Sequence, residues 1–90
     1  MKYLSTQDVI LLHDLAISKA GGSHGLRDLN LLDSAVDRYR ASFGGLDLYP
    51  DIFSKAGALA QSIIKNHPFV DGNKRTGIYA AMTFLELNGL

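Results

Sequence analysis

The chain has 90 residues, 47% of them hydrophobic and 20% charged, a balance that builds one domain around an apolar core and excludes a disordered polyelectrolyte. Nine basic and nine acidic side chains sum to zero and are scattered, which argues against direct nucleic-acid or membrane partners, since neither has an electrostatic footprint to bind. The lack of cysteine excludes disulfides, thiolate zinc sites and cysteine nucleophiles; no apolar run approaches the roughly 20 residues of a membrane span, and polar Ser5, Thr6, Gln7 and Asp8 replace a signal sequence, which predicts a cytoplasmic protein.

Ser5 or Thr6, followed by Asp8, opens a first helix in which Val9, Leu12 and Ala16 recur beside Ile10 and Ile17, and Gly21-Gly22 stops it. A glycine-rich loop leads to Asp28, a predicted cap, after which Leu29, Leu32, Ala35, Val36 and Tyr39 share one face of a second helix ending before Gly44-Gly45. From Phe43 to Tyr49 the glycines and the alternation Leu46-Asp47-Leu48 predict a turn or short hairpin. Pro50 suits the first position of a third helix, whose buried stripe is Ile52, Ala56, Leu59 and Ile63 with Phe53, Ala60 and Ile64 adjacent, down to about Asn66.

Pro68 lacks a backbone N–H and disfavours helical geometry at His67, so a loop follows. From about Asn73, the residues Arg75, Ile78, Tyr79, Met82, Leu85 and Glu86 mark a fourth helix, stopped by Asn88-Gly89. The expected fold is all-α, a single compact helical domain over residues 1–90 with a short hairpin-like flap, its active-site loop lying between the third and fourth helices. Tyr39, Tyr79 and Phe84 are expected in its core. A stop at Leu90 suits a complete chain or a longer one cut short.

The loop carries the chemistry. Backbone N–H groups at a helix start lack intrahelical partners, and the macrodipole adds about half a positive charge, so Asp71-Gly72-Asn73 stands where an anion binds well. Gly72 allows φ above zero and a close backbone approach; Lys74 and Arg75 add cations. Polyphosphate chemistry commonly uses magnesium held by one or two carboxylates, and Asp71 is the loop's candidate ligand. His67, with an intrinsic pKa near 6.5, can accept a hydroxyl proton at cellular pH. Phe69 is expected to anchor the loop in the core.

Each residue also has a plainer role: His67 as a helix-end residue, Asp71 as the cap of the fourth helix, Lys74-Arg75 as a solvated basic pair. The dipole disfavours cations at a helix start, so an anion that offsets them fits the last pair better. His13, His24, Arg38 and Arg40 are assigned no function.

The segment from His67 to Gly77 resembles the signature of the Fic/Doc family, His-Pro-Phe-x-[Asp/Glu]-Gly-Asn-[Gly/Lys]-Arg set between two helices, and matches it at every position. The resemblance implies a nucleotide-dependent, protein-modifying transferase using ATP and Mg2+. His67 would activate a target hydroxyl, Asp71 hold the metal, and Gly72, Asn73, Lys74 and Arg75 bind phosphate, with Lys74 and Arg75 also serving catalysis. Gly44, Gly45, Leu46, Asp47 and Leu48 would form a flap that docks an extended target segment by strand-like pairing.

AMP-transferring members usually have glycine where Lys74 stands and a second arginine where this chain has Ile78; both differences favour the Doc-like branch. That branch implies a toxin of a toxin–antitoxin pair, a kinase acting on a translation elongation factor. AMP transfer is the alternative, and a catalytically silent binding module a third. The autoinhibitory [Ser/Thr]-x-x-x-Glu-[Gly/Asn] motif is absent, so the expected inhibitor is a cognate antitoxin segment that folds on binding. Doc-like chains usually continue past the fourth helix; if that further part normally covers an apolar face, the face is expected here either exposed or covered by a second copy, giving a homo-oligomer.

Overall fold

The computed structural model describes residues 1–90. Its elements are α1 (Thr6–Ala20), α2 (Leu29–Tyr39), β1 (Ser42–Phe43), β2 (Leu46–Asp47), α3 (Ile52–Asn66) and α4 (Asn73–Leu87), the expected all-α architecture with a hairpin flap.

Local side-chain chemistry sets the helix starts. Ser5 Oγ accepts from Asp8 N–H at 3.2 Å while the Asp8 carboxylate accepts from Ser5 N–H at 2.8 Å, a reciprocal cap that satisfies two orphan donors. Asp28 caps α2 by accepting from Leu31 N–H at 3.1 Å. At α3 the cap is Asp51, whose carboxylate accepts from Ser54 N–H at 2.8 Å. Pro50 therefore lies before the helix and not at its first position, a correction: a carboxylate beside free N–H groups gains more there than a preset φ does.

Helix α3 packs against both α2 and α4, and α1 lies against α4. One apolar cluster, including Val9, Leu32, Leu59, Ile63, Phe69 and Phe84, fills the interior. Buried Tyr39 keeps its hydroxyl satisfied by donating to Leu4 C=O at 3.0 Å and accepting from Leu4 N–H at 2.6 Å. Burial pushes its pKa up to about 12, against the lowering effect of that hydrogen bond.

Two predicted faces need correction. Phe53, placed in the α3 stripe, is 65% exposed, and Ile64 lies at the surface too, while Lys55 and Ser62 are buried in their stead. In α4 the buried residues are Asn73, Thr76, Gly77, Ala80 and Phe84. Ile78 and Met82 are exposed and Tyr79 is half-buried, not core. The reason is close helix packing: a Cβ on Gly77 would stand 2.9 Å from Ala60 C=O and 3.0 Å from an Ile64 side-chain carbon, so α4 approaches α3 through small residues. Leu11 and Leu15 of α1 and Ile78 and Met82 of α4 are exposed.

The flap pairs Ser42 with Asp47 and Phe43 with Leu46 in antiparallel register. Phe43 and Leu46 are 89% and 75% exposed. What holds the hairpin is polar: Lys55 Nζ, itself buried, donates to Asp47 Oδ2 at 2.9 Å and to Tyr49 C=O. No helix is long and apolar enough to cross a membrane.

Candidate active site

His67 ends α3 in the left-handed region, with φ 55° and ψ 51°, and no other non-glycine residue has positive φ. A β-carbon makes this backbone shape costly, so neighbouring contacts must hold it. Arg27 supplies them: its Nε donates to His67 C=O at 2.8 Å and a terminal nitrogen to Asn66 C=O at 3.1 Å. The same loop braces the next residues. Arg27 and Asp28 N–H groups both donate to Pro68 C=O, at 2.7 and 3.0 Å, and Val70 N–H donates to Gly25 C=O at 3.0 Å.

Phe69 is buried as expected, with the His13 ring stacked on it at 3.8 Å between centroids and 4° between planes. His13 Nε2 lies 2.8 Å from Asp71 C=O; a carbonyl only accepts, so this nitrogen carries the proton. A second clamp is buried Asn73. Its Oδ1 accepts from Phe69 N–H at 2.9 Å, its Nδ2 donates to Phe69 C=O at 2.9 Å, and Nδ2 also lies 3.0 Å from His67 Nδ1.

Asp71 does not cap α4, a correction to its plainer role. Its Oδ2 accepts from Ser23 N–H at 3.1 Å and its Oδ1 from Gly72 N–H at 2.8 Å. Those two donors, Ser23 first, hold its carboxyl below the usual carboxylate range, with Arg75 and His13 adding to the effect. Gly22 makes room for this contact: a Cβ there would stand 2.7 Å from Asp71 Oδ2.

Gly72 is the N-cap of α4 at φ 74°, and no side chain caps the helix, whereas α1, α2 and α3 each carry a side-chain cap. The first intrahelical bond runs from Thr76 N–H to Gly72 C=O at 2.9 Å. The N–H groups of Asn73, Lys74 and Arg75 are thus unspent, and the exposed Lys74 and Arg75 side chains make no ion pair. The folded chain therefore gathers an exposed imidazole, an ionised carboxylate, three free amides and two free cations on one loop and helix start. That arrangement can bind an oligoanion and hold an imidazole beside it.

No group of three acidic or histidine side chains surrounds Asp71. The site fits a cation that takes most of its ligands from phosphate and water, with the Asp71 carboxylate kept ionised by its N–H partners. The flap residues Gly44 to Leu48 stand apart from this cluster: neither strand approaches α4, and the tether at Lys55 lies roughly 18 Å along α3 from His67 at 1.5 Å per residue.

His13, Arg27, Ser23 and Gly22 are site-shaping residues that the sequence did not disclose. Their partners lie far along the chain, and only the glycine-rich composition between Gly21 and Gly25 hinted that a backbone passes close by.

Comparison with known proteins gives the same assignment. The chain is 47% identical over 89 residues to "Toxin Doc" of Mycolicibacterium smegmatis, covering 99% of this chain and 66% of that protein. It is 31% identical over 90 residues to "Protein kinase doc" of Escherichia phage P1, covering 100% of this chain and 71% of the relative. The chain thus spans about two thirds of the length of these relatives. A model of the Fic/DOC family matches residues 3–85, nearly the whole of the fold described above, and the chain belongs to that family.

Proposed function

We propose that this chain is the toxin of a toxin–antitoxin pair and a protein-modifying transferase that moves the γ-phosphate of ATP to a serine or threonine hydroxyl of a target protein. The observation that carries this is the uncapped start of α4: three free amides beside unpaired Lys74 and Arg75, next to an exposed imidazole held in a costly backbone shape. The other three helices each carry a side-chain cap, and this one leaves its first amides free for an anion. The names of the two relatives, a toxin and a protein kinase, support the same class.

In this proposal the Asn73, Lys74 and Arg75 amides and the two cations hold phosphate oxygens. Asp71 would hold Mg2+, which supplies charge neutralisation on the phosphates when bound. The target oxygen bonds to the γ-phosphorus, the bond from that phosphorus to the β–γ bridging oxygen breaks, His67 Nε2 takes the hydroxyl proton, and ADP leaves. Lys74 and the exposed Ile78, where AMP-transferring members have glycine and arginine, favour the γ over the α position. The flap, with Phe43 and Leu46 outward, is suited to an extended target segment, and a translation elongation factor is the proposed target class. A cognate antitoxin would supply the inhibitory segment, in the cytoplasm.

The test uses ATP labelled separately at the α and γ positions, with a purified elongation factor and the His67→Ala variant as control. Label reaching the target from the γ position alone, and lost with His67→Ala, is expected. Label from the α position would replace the kinase by an AMP transferase; no label, with toxicity unchanged in His67→Ala, would leave a silent binding module.

A further inference from the structure

Asn73 is 5% exposed and its amide orientation is fixed by chemistry. Phe69 N–H can only donate and Phe69 C=O can only accept, so Oδ1 must face the first and Nδ2 the second, both at 2.9 Å. Turning the amide over would set donor against donor and acceptor against acceptor. The remaining Nδ2 hydrogen is then aimed at His67 Nδ1, 3.0 Å away. Turning the imidazole over would place a carbon on that hydrogen and lose the bond.

We propose that Asn73 selects the tautomer of His67, holding Nδ1 as an acceptor and the neutral ring's proton on the outward nitrogen Nε2 in the ligand-free protein. His67 then meets an arriving oligoanion as a hydrogen-bond donor, a further member of the anion cradle. A ring that is to take a proton at Nε2 must instead carry its own proton on Nδ1, where it would face the Asn73 N–H. The ring therefore leaves Asn73 before it acts as a base. This last consequence rests on the transferase function proposed above; the tautomer does not. Asn73 is accordingly a positioning residue whose effect passes through His67.

The experiment is a long-range 1H–15N correlation of the full chain with 15N-labelled histidine, ligand-free, at about pH 8, where an ordinary imidazole is neutral. The same chain unfolded in denaturant is the reference. His67 is expected with an unprotonated Nδ1 and a protonated Nε2, the other tautomer depleted about ten-fold or more against the unfolded chain. A protonated Nδ1, or a mixture equal to the unfolded one, overturns the proposal. In Asn73→Ala the donor to Nδ1 is gone, so the two tautomers should return towards the unfolded mixture; a folded Asn73→Ala with Nε2 protonated as fully as in wild type also overturns it. Should that variant not fold, the wild-type spectrum decides alone. Neither nucleotide nor target is needed, so a failed transfer assay leaves this result standing, and a protonated Nδ1 leaves the transferase intact.

Discussion

At His67 two demands compete. A β-carbon in the left-handed region costs about 1–2 kcal/mol, and glycine avoids this cost at the price of about 0.5–1 kcal/mol of extra chain entropy on folding. Replacing the ring by alanine keeps the strained backbone and loses the Asn73 contact; glycine loses the contact but relieves the strain. His67→Gly should therefore melt higher than His67→Ala by roughly 4–8 °C, about 1 kcal/mol for a chain of this size, while both lose transfer activity. His67→Gly melting below His67→Ala would mean that the backbone at 67 is unstrained, since only the entropy cost of glycine would then remain. Asp71 makes a second residue-scale case. Its folded pKa lies below its unfolded one, so its contribution to stability is present above the unfolded value, near pH 4, and is lost as pH falls through the folded value. Urea midpoints followed from pH 5 to pH 2 should fall more steeply for wild type than for Asp71→Asn; parallel acid limbs would mean that the Ser23 and Gly72 N–H bonds do not persist in solution.

Between elements, the flap hangs on one buried ammonium. Breaking a buried pair costs about 3–5 kcal/mol, but the Asp47 side chain is half-exposed and Tyr49 C=O still accepts, so Asp47→Ala should cost roughly 1–2 kcal/mol. Lys55→Met removes the charge itself and should cost under about 1 kcal/mol. Amide exchange at Leu48, which donates to Ala41 C=O at 2.9 Å, should quicken in both. If Lys55→Met were the more destabilising, the ammonium's donation to Tyr49 C=O, which Asp47→Ala leaves in place, would be what holds the hairpin. The pattern of what the sequence disclosed follows from range. The Ser5, Asp28 and Asp51 caps reach only three residues ahead, and the first two were legible; the third was masked by the stronger conventional signal of Pro50. The α4 face was misread because it is buried through Asn73, Thr76, Gly77 and Ala80, small or polar residues that leave no apolar stripe to find. His67, Asp71 and Asn73 stood in one contiguous motif, whereas His13 and Arg27 act across 58 and 40 positions of chain and have no local signature.

For the molecule as a whole, only 22 of 90 residues are buried, and a domain this small has little stability in reserve. Any ligand that binds only the folded state adds to it by mass action, about 2.7 kcal/mol at a hundred times its dissociation constant. At roughly 4–8 °C per kcal/mol, a saturating triphosphate should raise the melting temperature by roughly 10–20 °C. The origin of the shift can be apportioned, because Arg75 is exposed and unpaired: Arg75→Ala should leave the ligand-free melting temperature within a few degrees of wild type and remove most of the increment, while His67→Ala keeps most of it. A correctly folded wild type that gains nothing from ATP, ADP or inorganic triphosphate would mean that the free amides of α4 are satisfied by water alone. The uncapped helix start would then be a tolerated loss of stability, and the site would hold no oligoanion.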